Sequence, residues 1–579
     1  MPDSGVLNSS HKRDIGADLL LTGCLLLVHP FLIFLIGNLS LIAGRPLCSC
    51  YFFAASLITF PAGLILCKRI IGRCDFRKTL LISAGVVSAP LLIGLPASKI
   101  YDYSVDGQTY HLEMVLQLAD GWVPGKEERG VLGPLSAYMN HFPAGDAVIR
   151  GVDYMLTGRV ESSKAFNLTI LLSSFLIVSG GLLRYSTRLN WIQILALSFT
   201  AAYNPVSVSQ LPSFYIDGIL SSLLVILFFI LLMPEEMDVF VQRVILLPVL
   251  CLLAGSKFTG LVFAILIPTL ILCGRCYFSR PFPIRSHCLY LCIAWVVMLM
   301  ACFHPYLTGI RDHHHPFYPL AGPDAVDMTT IMEENRPANF NSMNRFQRLF
   351  HSIYSEMGQQ STSTTDQPSR LKCPFTFNYQ NVRKITATAD IRVAGWGPYF
   401  GLALIACFLI FAVSLFQNQL LAMLFLSING MIFITGIINS EAWWARFTPH
   451  FWLIPIITCA LIWQGTSSRI LRSLANFCIL ICVANVLILG SLRCTGTWRV
   501  NNRIIRQIEM IRNLPQPVRV VYGFIRSTRI RFAEAGIMTF ELPKEENLGE
   551  GEWANAFTGS DAKIFIPHVD ANGTIIQKK

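Results

Sequence analysis

Apolar runs of about 20 residues recur along most of this chain, and they constrain its fold more than any other feature. The first run begins near residue 17 and the last ends near residue 492. We count about thirteen, each close to the length that a helix needs to cross a bilayer. Only 14% of the residues are charged, against about 25% in an average soluble domain. The sequence therefore predicts an all-α polytopic membrane protein.

The basic residues indicate how these helices are oriented. The net charge is +11, and its basic residues are unevenly distributed along the chain: five Lys and Arg lie in the short loop from 68 to 78. Short loops rich in Lys and Arg stay on the cytoplasmic side of a membrane. The basic residues near 184–188, 275–285 and 469–472 fall on the same side by count. The charge therefore reflects membrane topology, and we expect no nucleic-acid partner.

This topology leaves three sizeable polar segments on the outer side: about 97–164, about 307–397 and the tail from 493. We divide the chain into a transmembrane module, 1–492, and a small soluble domain, 493–579.

The tail carries two opposing signals. Its stretches "VRVVYGFI" and "AKIFIPHV" are strand-like, which predicts a small α/β domain. Nine Arg lie between Arg493 and Arg531, and such density favours a cytoplasmic tail. Large domains, however, cross membranes largely regardless of their charge. We predict that the domain lies on the outer side.

Residues 244–273 form a nearly continuous apolar stretch that is interrupted by "AGSKFTG". One long helix here would invert the orientation of everything that follows. A lone ammonium at the middle of the bilayer costs about 3 kcal/mol. We therefore predict two helices, with Lys257 at the outer turn between them.

A first polar cluster lies in "DYSVDGQTYHLEMVLQLADGW", residues 102–122. The pattern turns helical from Gln108, with apolar residues at 112, 115, 116 and 119 and Gly121 as the C-terminal stop. It predicts a short amphipathic helix on the outer membrane face. A carboxylate just before it can take a proton from an attacking hydroxyl, and partial desolvation is expected to raise its pKa. We predict Asp106 as the catalytic base, with Asp102 beside it. Both residues could equally cap the helix and end the preceding span.

Five other polar residues are predicted to bind substrate in the same cavity. Gln108 and His111 would orient Asp106 or bind a sugar hydroxyl. His141, Asp217 and Lys257 each occupy a polar break between apolar runs. Asp217 could equally mark the start of its span.

The stretch "HPYLTGIRDHHHPFYPLAGPD", residues 304–324, forms a second polar cluster. We predict that His315 and Tyr318 belong to a wall around the substrate, although packing within the loop explains the pattern equally well. Three consecutive His invite a metal site. Adjacent side chains point in different directions, however, and a spacing such as HxxxH is absent. No metal ligand is assigned here.

A third cluster, "NSEAWWARFTPHFWLIP", spans residues 439–455. A guanidinium at headgroup depth, flanked by aromatic rings, suits bidentate binding of a lipid phosphate or diphosphate. We predict Arg446 as the phosphate ligand. Ordinary anchoring of the chain by Trp443, Trp444 and Arg446 at the interface is the alternative.

With its acidic motif in the first large outer loop and an Arg among aromatics in a late one, the chain resembles the GT-C superfamily of membrane glycosyltransferases. The stretches "DYSVDGQTYH", "KFTG" and "HPFYPL" look like the pattern in bacterial members that modify surface polysaccharide or lipopolysaccharide. The likeness covers most of residues 17–473. In that superfamily the acidic loop commonly follows the first span, whereas here it follows the third.

The resemblance implies a GT-C-like fold, a polyprenyl-phosphate-linked sugar as donor, and a glycan or glycolipid as acceptor. It also implies an Asp base, an Arg on the leaving phosphate, and membrane lipids around the site. Some members use a divalent cation held by carboxylates, a role that Asp102 and Asp106 could fill. No other cofactor is expected.

We therefore expect a glycosyltransferase of the inner membrane with its active site facing the periplasm. An O-antigen polymerase or ligase acting on polyprenyl-diphosphate glycans is the nearest alternative, and it would rely more on Arg and His than on an acidic base. A transporter of polysaccharide or lipid, without chemistry, is the other. Transporters usually carry internal repeats and charged or broken helices near mid-membrane, and we find no repeat in the sequence.

Overall fold

The computed structural model of the protein describes residues 4–131, 135–233, 237–278, 284–326, 334–357, 368–385, 388–546, 548 and 551–567. The described chain is mostly helical, with a small four-stranded sheet near its C-terminus. This arrangement confirms the predicted helical membrane protein with a C-terminal α/β part. Several pieces of the predicted outer segment 307–397 lie outside the described residues.

Helices dominate because a backbone in lipid must satisfy its own hydrogen bonds. Those of the first half of the chain are α1 (Ser4–Ile42), α2 (Cys50–Ile71), α3 (Phe76–Ala97), α4 (Leu112–Ala119), α5 (Ser136–His141), α6 (Gly145–Thr157), α7 (Ala165–Tyr185), α8 (Trp191–Ala202), α9 (Pro205–Gln210) and α10 (Asp217–Leu232).

The second half follows the same plan. Its helices are α11 (Val239–Ser256), α12 (Phe258–Phe278), α13 (Ile284–Ala301), α14 (Phe303–His313), α15 (Arg345–Tyr354), α16 (Tyr379–Ile385), α17 (Phe400–Gln417), α18 (Gln419–Ile437), α19 (Leu453–Gly465), α20 (Arg469–Arg512) and α21 (Ser527–Glu534).

Ten helices within the described ranges are long and apolar enough to cross a membrane. They are α1, α2, α3, α7, α11, α12, α13, α17, α18 and α20. Helices α8 and α10 are apolar but shorter. The protein is thus built to lie in a membrane, while the count of about thirteen spans stays a prediction.

The break at Lys257 is present as predicted. Helix α11 ends at Ser256 and α12 begins at Phe258, while Lys257 between them has an extended backbone with φ −158° and ψ 149°. The apolar stretch 244–273 therefore forms two helices.

Contacts between loops show that the predicted basic loops meet at one end of the helix bundle. The side chains of Lys12, Arg184 and Arg188 donate to the backbone oxygens of Leu189, Ile70 and Gln464, respectively. Arg69 lies 3.6 Å from Asp238. We call this the basic end. The polar clusters of the sequence lie at the other end of the helices, which we call the loop end.

The C-terminal domain packs on the loop end. Its sheet has the order β2-β1-β4-β3, formed by β1 (Val518–Val521), β2 (Thr539–Glu541), β3 (Gly551–Asn555) and β4 (Lys563–Pro567). Strands β1 and β4 confirm the two strand-like stretches. Helix α20 is 44 residues long and enters the domain without interruption, so the predicted boundary at 492/493 lies inside a helix.

Helix α4 lies inside the predicted amphipathic helix but begins four residues later than Gln108, and its predicted position on the membrane face is wrong. Residues 112–118 are all buried within the protein. Glu113, on its polar side, accepts a hydrogen bond from Gln117 at 2.5 Å and pairs with Arg526 of the C-terminal domain at 3.4 Å. Helix α4 is thus buried mainly against α6 and the preceding turn, and Arg526 of the C-terminal domain contacts its polar side.

Arg531 provides the main polar link between the C-terminal domain and the first loop. Its side chain is fully buried and pairs with Glu161, which is equally buried. The same guanidinium donates to the Gln108 side chain at 2.5 Å and to the backbone oxygen of Asp102 at 2.8 Å. Five donor groups in a rigid fork suit such a junction.

Replacing Arg531 by Ala is expected to lower the free energy of unfolding by about 3–5 kcal/mol, because it leaves the Glu161 carboxylate buried with one partner fewer. Thermal unfolding in detergent and protease cleavage of the tail would measure the loss. Arg529, whose side chain is 41% exposed and pairs with Glu541, is the control: Arg529→Ala should cost at most about 1 kcal/mol. Equal stability of the two variants would contradict the assigned junction.

Candidate active site

Arg446 lies at the centre of a buried charged cluster at the loop end. Its Nη1 donates to Asp106 Oδ2 at 2.9 Å, across 340 residues of sequence. Its Nε lies 3.4 Å from Oδ1 of Asp390. Arg446 is 9% exposed. The guanidinium therefore joins the first outer loop to the segment that precedes α17.

Aromatic rings surround the same guanidinium. Its Cζ lies 4.5 Å from the centre of the Trp444 ring, 5.2 Å from Phe447 and 5.3 Å from Tyr215. Cations over ring faces are stabilised, and more strongly where water is excluded. Trp443 and Trp444 are 1% and 2% exposed, so they line the protein interior and do not anchor the chain in the interface.

A second ion pair completes the cluster. The Lys257 ammonium hydrogen-bonds Asp217 and lies 4.6 Å from the centre of the Phe447 ring. Asp217 also accepts a hydrogen bond from Gln210 at 3.1 Å. The break between α11 and α12 thus delivers a positive charge to the cluster, where the start of α10 supplies its counter-ion.

Asp390 belongs to this cluster, although no sequence pattern singled it out. It accepts hydrogen bonds from Trp444 Nε1 and from Arg392 Nε, both at 2.9 Å. It sits in "TADIRVAGWG", a polar interruption just before α17. That interruption was the available signal.

The turn that carries Asp106 needs glycine at the next position. Residues Gly107–His111 form a π-helical turn in which Thr109 departs from helical geometry. A Cβ on Gly107 would lie 2.3 Å from Ser104 Oγ and 2.4 Å from Asp102 Oδ2. A side chain at position 107 would have to displace these two oxygens from their present contacts, and π-turns of this kind are frequent at functional sites.

The expected rise in the pKa of Asp106 is wrong. Burial would raise the pKa of this carboxyl, but the Arg446 guanidinium more than compensates and holds it below its ordinary value. Burial also lowers the pKa of Arg446, but Asp390 and Asp106 outweigh it and keep that pKa well above the usual range. Both residues are therefore charged in this pairing.

His111 lies beside Asp106 and is neutral at physiological pH, because burial lowers its pKa to about 3. Its ring centre is 6.2 Å from that of Tyr215. A neutral imidazole can donate one hydrogen bond to a hydroxyl or accept one from it. Its role in orienting Asp106 or binding a sugar hydroxyl stays a prediction.

Asp102 does not join the Arg446 cluster. Its Oδ2 accepts the backbone N–H of Phe214 at 2.7 Å, and its Oδ1 accepts both the N–H and the hydroxyl of Ser104, at 2.8 and 2.6 Å. With both oxygens engaged, Asp102 does not fit a shared divalent cation with Asp106. These contacts stabilise the chain before the turn, and Asp102 caps neither the turn nor helix α4, the other role that the sequence offered for it.

Gln108 also points away from the cluster. Its Nε2 donates to the backbone oxygen of Gly559 at 2.8 Å, and its Oε1 accepts from Arg531. These contacts bind the turn to the C-terminal domain, and they leave no free amide for orienting Asp106.

His141, His315 and Tyr318 lie in a second group of rings. The centres of the His141 and Tyr318 rings are 4.7 Å apart. His315 instead folds onto its own loop, where its Nδ1 accepts the backbone N–H of Phe317 at 3.1 Å. Edge contacts run from Tyr110 through Phe142 and Phe258 to Phe317. Tyr110 lies against His111 and Phe317 lies against His315, so this row joins these two histidines.

Neither known protein families nor characterised proteins match this chain. The chemistry that the site can perform therefore has to be inferred from its geometry. The site holds a guanidinium and an ammonium, each paired with a carboxylate, and an incoming anion would compete with these carboxylates for the two cations.

Replacing Arg446 by Gln is expected to change how stability depends on pH. In the wild type the pKa of Asp106 is already below its unfolded value, so Asp106 binds no proton in either state between about pH 5 and pH 8 and contributes no slope. Without the guanidinium, burial raises this pKa, and the folded state then binds more protons than the unfolded state. Thermal stability of Arg446→Gln, relative to wild type, should rise as the pH falls from about 8 to about 5.

The double variant Arg446→Gln with Asp106→Asn is the matched control. It should lose this gain on acidification. If the gain persists, another group carries the proton and the pairing of Asp106 with Arg446 does not set its charge.

Proposed function

We propose that the protein is an integral membrane glycosyltransferase of the GT-C type. It would transfer a sugar from a polyprenyl-phosphate donor to a lipopolysaccharide or other cell-surface glycan. The 2.9 Å contact between Asp106 and Arg446 carries this proposal. It joins the predicted base and the predicted phosphate ligand in one buried, aromatic-lined cluster.

In this proposal the donor phosphate replaces carboxylates as the partner of Arg446. Arg binds phosphate through two parallel N–H groups, and here its Nη1 and Nε both face carboxylates. Lys257 offers a second positive charge close by. These fixed charges stabilise the negative charge that grows on the phosphate as the sugar leaves, without reorganisation at that moment.

The same exchange activates Asp106. When a phosphate takes up the guanidinium, the interaction that lowers the pKa of Asp106 weakens, and the carboxylate becomes a stronger base. The acceptor hydroxyl gives its proton to Asp106 while its oxygen bonds to the anomeric carbon. The bond between that carbon and the phosphate oxygen breaks, and the phosphate retains the electron pair.

The proposed orientation follows from the two ends of the bundle. Because basic loops stay in the cytoplasm, the basic end would face the cytoplasm and the loop end the periplasm. The active site and the C-terminal domain would then both lie at the outer leaflet of the inner membrane. Donor lipid would enter the site sideways from the bilayer.

Replacing Asp106 by Asn is expected to reduce transfer by about 10²–10⁴-fold, the usual contribution of a positioned base. The variant should insert into the membrane normally. Mass spectrometry of surface glycans from a deletion strain carrying each variant would show loss of one sugar substituent. Asp324→Asn, which changes an exposed carboxylate elsewhere in the outer segments, should restore the wild-type pattern. Full activity of Asp106→Asn would refute the assigned base.

The glycans of the deletion strain also separate the alternatives. A decorating transferase changes composition and leaves chain length intact, whereas a polymerase changes the ladder of chain lengths. A purified protein that moves substrate across vesicles without modifying it would establish transport instead.

Arg446→Gln tests the phosphate site by binding. Undecaprenyl phosphate, the lipid part of such a donor, should raise the melting temperature of the wild-type protein in detergent and that of Asp324→Asn equally. The shift should disappear in Arg446→Gln, because the loss of a guanidinium removes both N–H donors to the phosphate. An unchanged shift would place the phosphate elsewhere.

A further inference from the structure

Glu128, His141 and His313 form a compact group outside the Arg446 cluster. Each offers one potential ligand atom, and these atoms all lie within 4.8 Å of one another. Across the described part of the chain, this is the one group of three or more His, Cys, Asp or Glu with such spacing. The three residues come from the segment before α5, the end of α5 and the end of α14.

We propose that this group binds one divalent cation of the Zn²⁺ type. Two imidazoles and one carboxylate are the donors that Zn²⁺ accepts in a tetrahedral site with an open fourth position. Mg²⁺ and Ca²⁺ prefer oxygen ligands alone. The donor set therefore selects a transition-metal ion.

Glu128 is held against His141 before any ion binds. The Asn140 side chain accepts the backbone N–H of Arg129 at 2.9 Å and donates to its backbone oxygen at 3.0 Å. These two hydrogen bonds fix the segment that carries Glu128. Glu128 Oε1 consequently lies 3.2 Å from His141 Nε2, close to the spacing of about 3.3 Å that two ligands have in tetrahedral coordination with bonds of about 2.0–2.1 Å.

His313 is held by different contacts. Its ring stacks on Tyr318, with centres 3.6 Å apart and planes within 9°, and it meets the His141 ring edge-on at 4.8 Å. Arg311 Nη2 donates to the backbone oxygen of Gly125 at 2.7 Å. The end of α14 is thus tethered to the segment that carries Glu128, and an ion would need only a small closure of the three side chains.

The ion would cross-link the first and second outer segments. The same two segments supply Tyr110, Phe142 and Phe317 of the aromatic row, and Phe258 at the start of α12 joins them. Metal binding would therefore stabilise the folded loops, as any ligand that binds only the folded state does. This role does not depend on the proposed glycosyl transfer.

The neighbouring His314 provides a matched control. It is exposed, and it ends α14 in a left-handed conformation with φ 57°, which Asn also tolerates. His314→Asn therefore removes one imidazole from the same tripeptide without touching the group or straining the turn.

The test uses the full-length protein in detergent, stripped with a chelator and then titrated with Zn²⁺ alone. Wild type and His314→Asn should bind one ion per chain, with equal affinity and an equal rise in melting temperature. His313→Asn should bind at least about 100-fold more weakly, since even outer-shell partners are worth about 10–100-fold. With Co²⁺, only wild type and His314→Asn should show the intense visible absorption of tetrahedral coordination.

Glu128→Gln shows whether weaker binding results from loss of a ligand or from misfolding. The Glu128 side chain is 67% exposed, so this substitution leaves the packing intact. It should also weaken binding at least about tenfold. The proposal is overturned if wild type binds no ion, if Glu128→Gln binds as tightly as wild type, or if His314→Asn loses binding as His313→Asn does. Loss of glycosyl transfer in any variant bears on the proposed function and not on this outcome.

Discussion

The pairing of Arg446 with two carboxylates is the interaction on which the loop end depends. A guanidinium withdrawn from water costs several kcal/mol unless it is paired and hydrogen-bonded. Asp106 and Asp390 supply those partners from segments that are remote in sequence. With Lys257 paired to Asp217 and Arg392 to Asp390, positive and negative charges balance. An incoming anion would add negative charge to this balanced cluster, so we expect its binding to displace a carboxylate from Arg446.

A second buried network determines the shape of the turn that holds Asp106. Arg531 of the C-terminal domain donates hydrogen bonds to Gln108 and Glu161. Asp102 accepts a hydrogen bond from the backbone N–H of Phe214. The turn is thus held on one side by the membrane module and on the other by the soluble domain. Polar groups that are fully paired in a low dielectric hold such a geometry firmly. The C-terminal domain is therefore part of the site's framework.

The sequence predicted those features that depend on local energetics. The break at Lys257 followed from the cost of an ammonium in lipid, helix α4 from its apolar spacing, and strands β1 and β4 from alternation. Asp106 and Arg446 were found because unusual side chains stood at the ends of apolar runs. Their direct contact was beyond what periodicity can show.

What the sequence could not reveal were pairings between distant segments. Asp390 stands in a polar interruption before α17, but only its contacts with Arg446 and Trp444 place it in the site. The sequence placed Asp102 beside Asp106 in one predicted site, yet Asp102 accepts hydrogen bonds from Phe214 and Ser104 while Asp106 pairs with Arg446. His313 stood among three identical residues, and only the approach of Glu128 and His141 from another segment distinguishes it.

Helix α20 has a mechanical consequence. At 1.5 Å per residue, its 44 residues extend for about 66 Å, about twice the thickness of the hydrocarbon layer. One half is fixed by lipid and the other half carries the soluble domain. Asn501, on the projecting half, exchanges hydrogen bonds with the backbone of Lys99 and Tyr101. The projecting half of this helix therefore sets the distance between the soluble domain and the helix bundle, and Asn501 attaches the beginning of the Asp106 loop to the same helix.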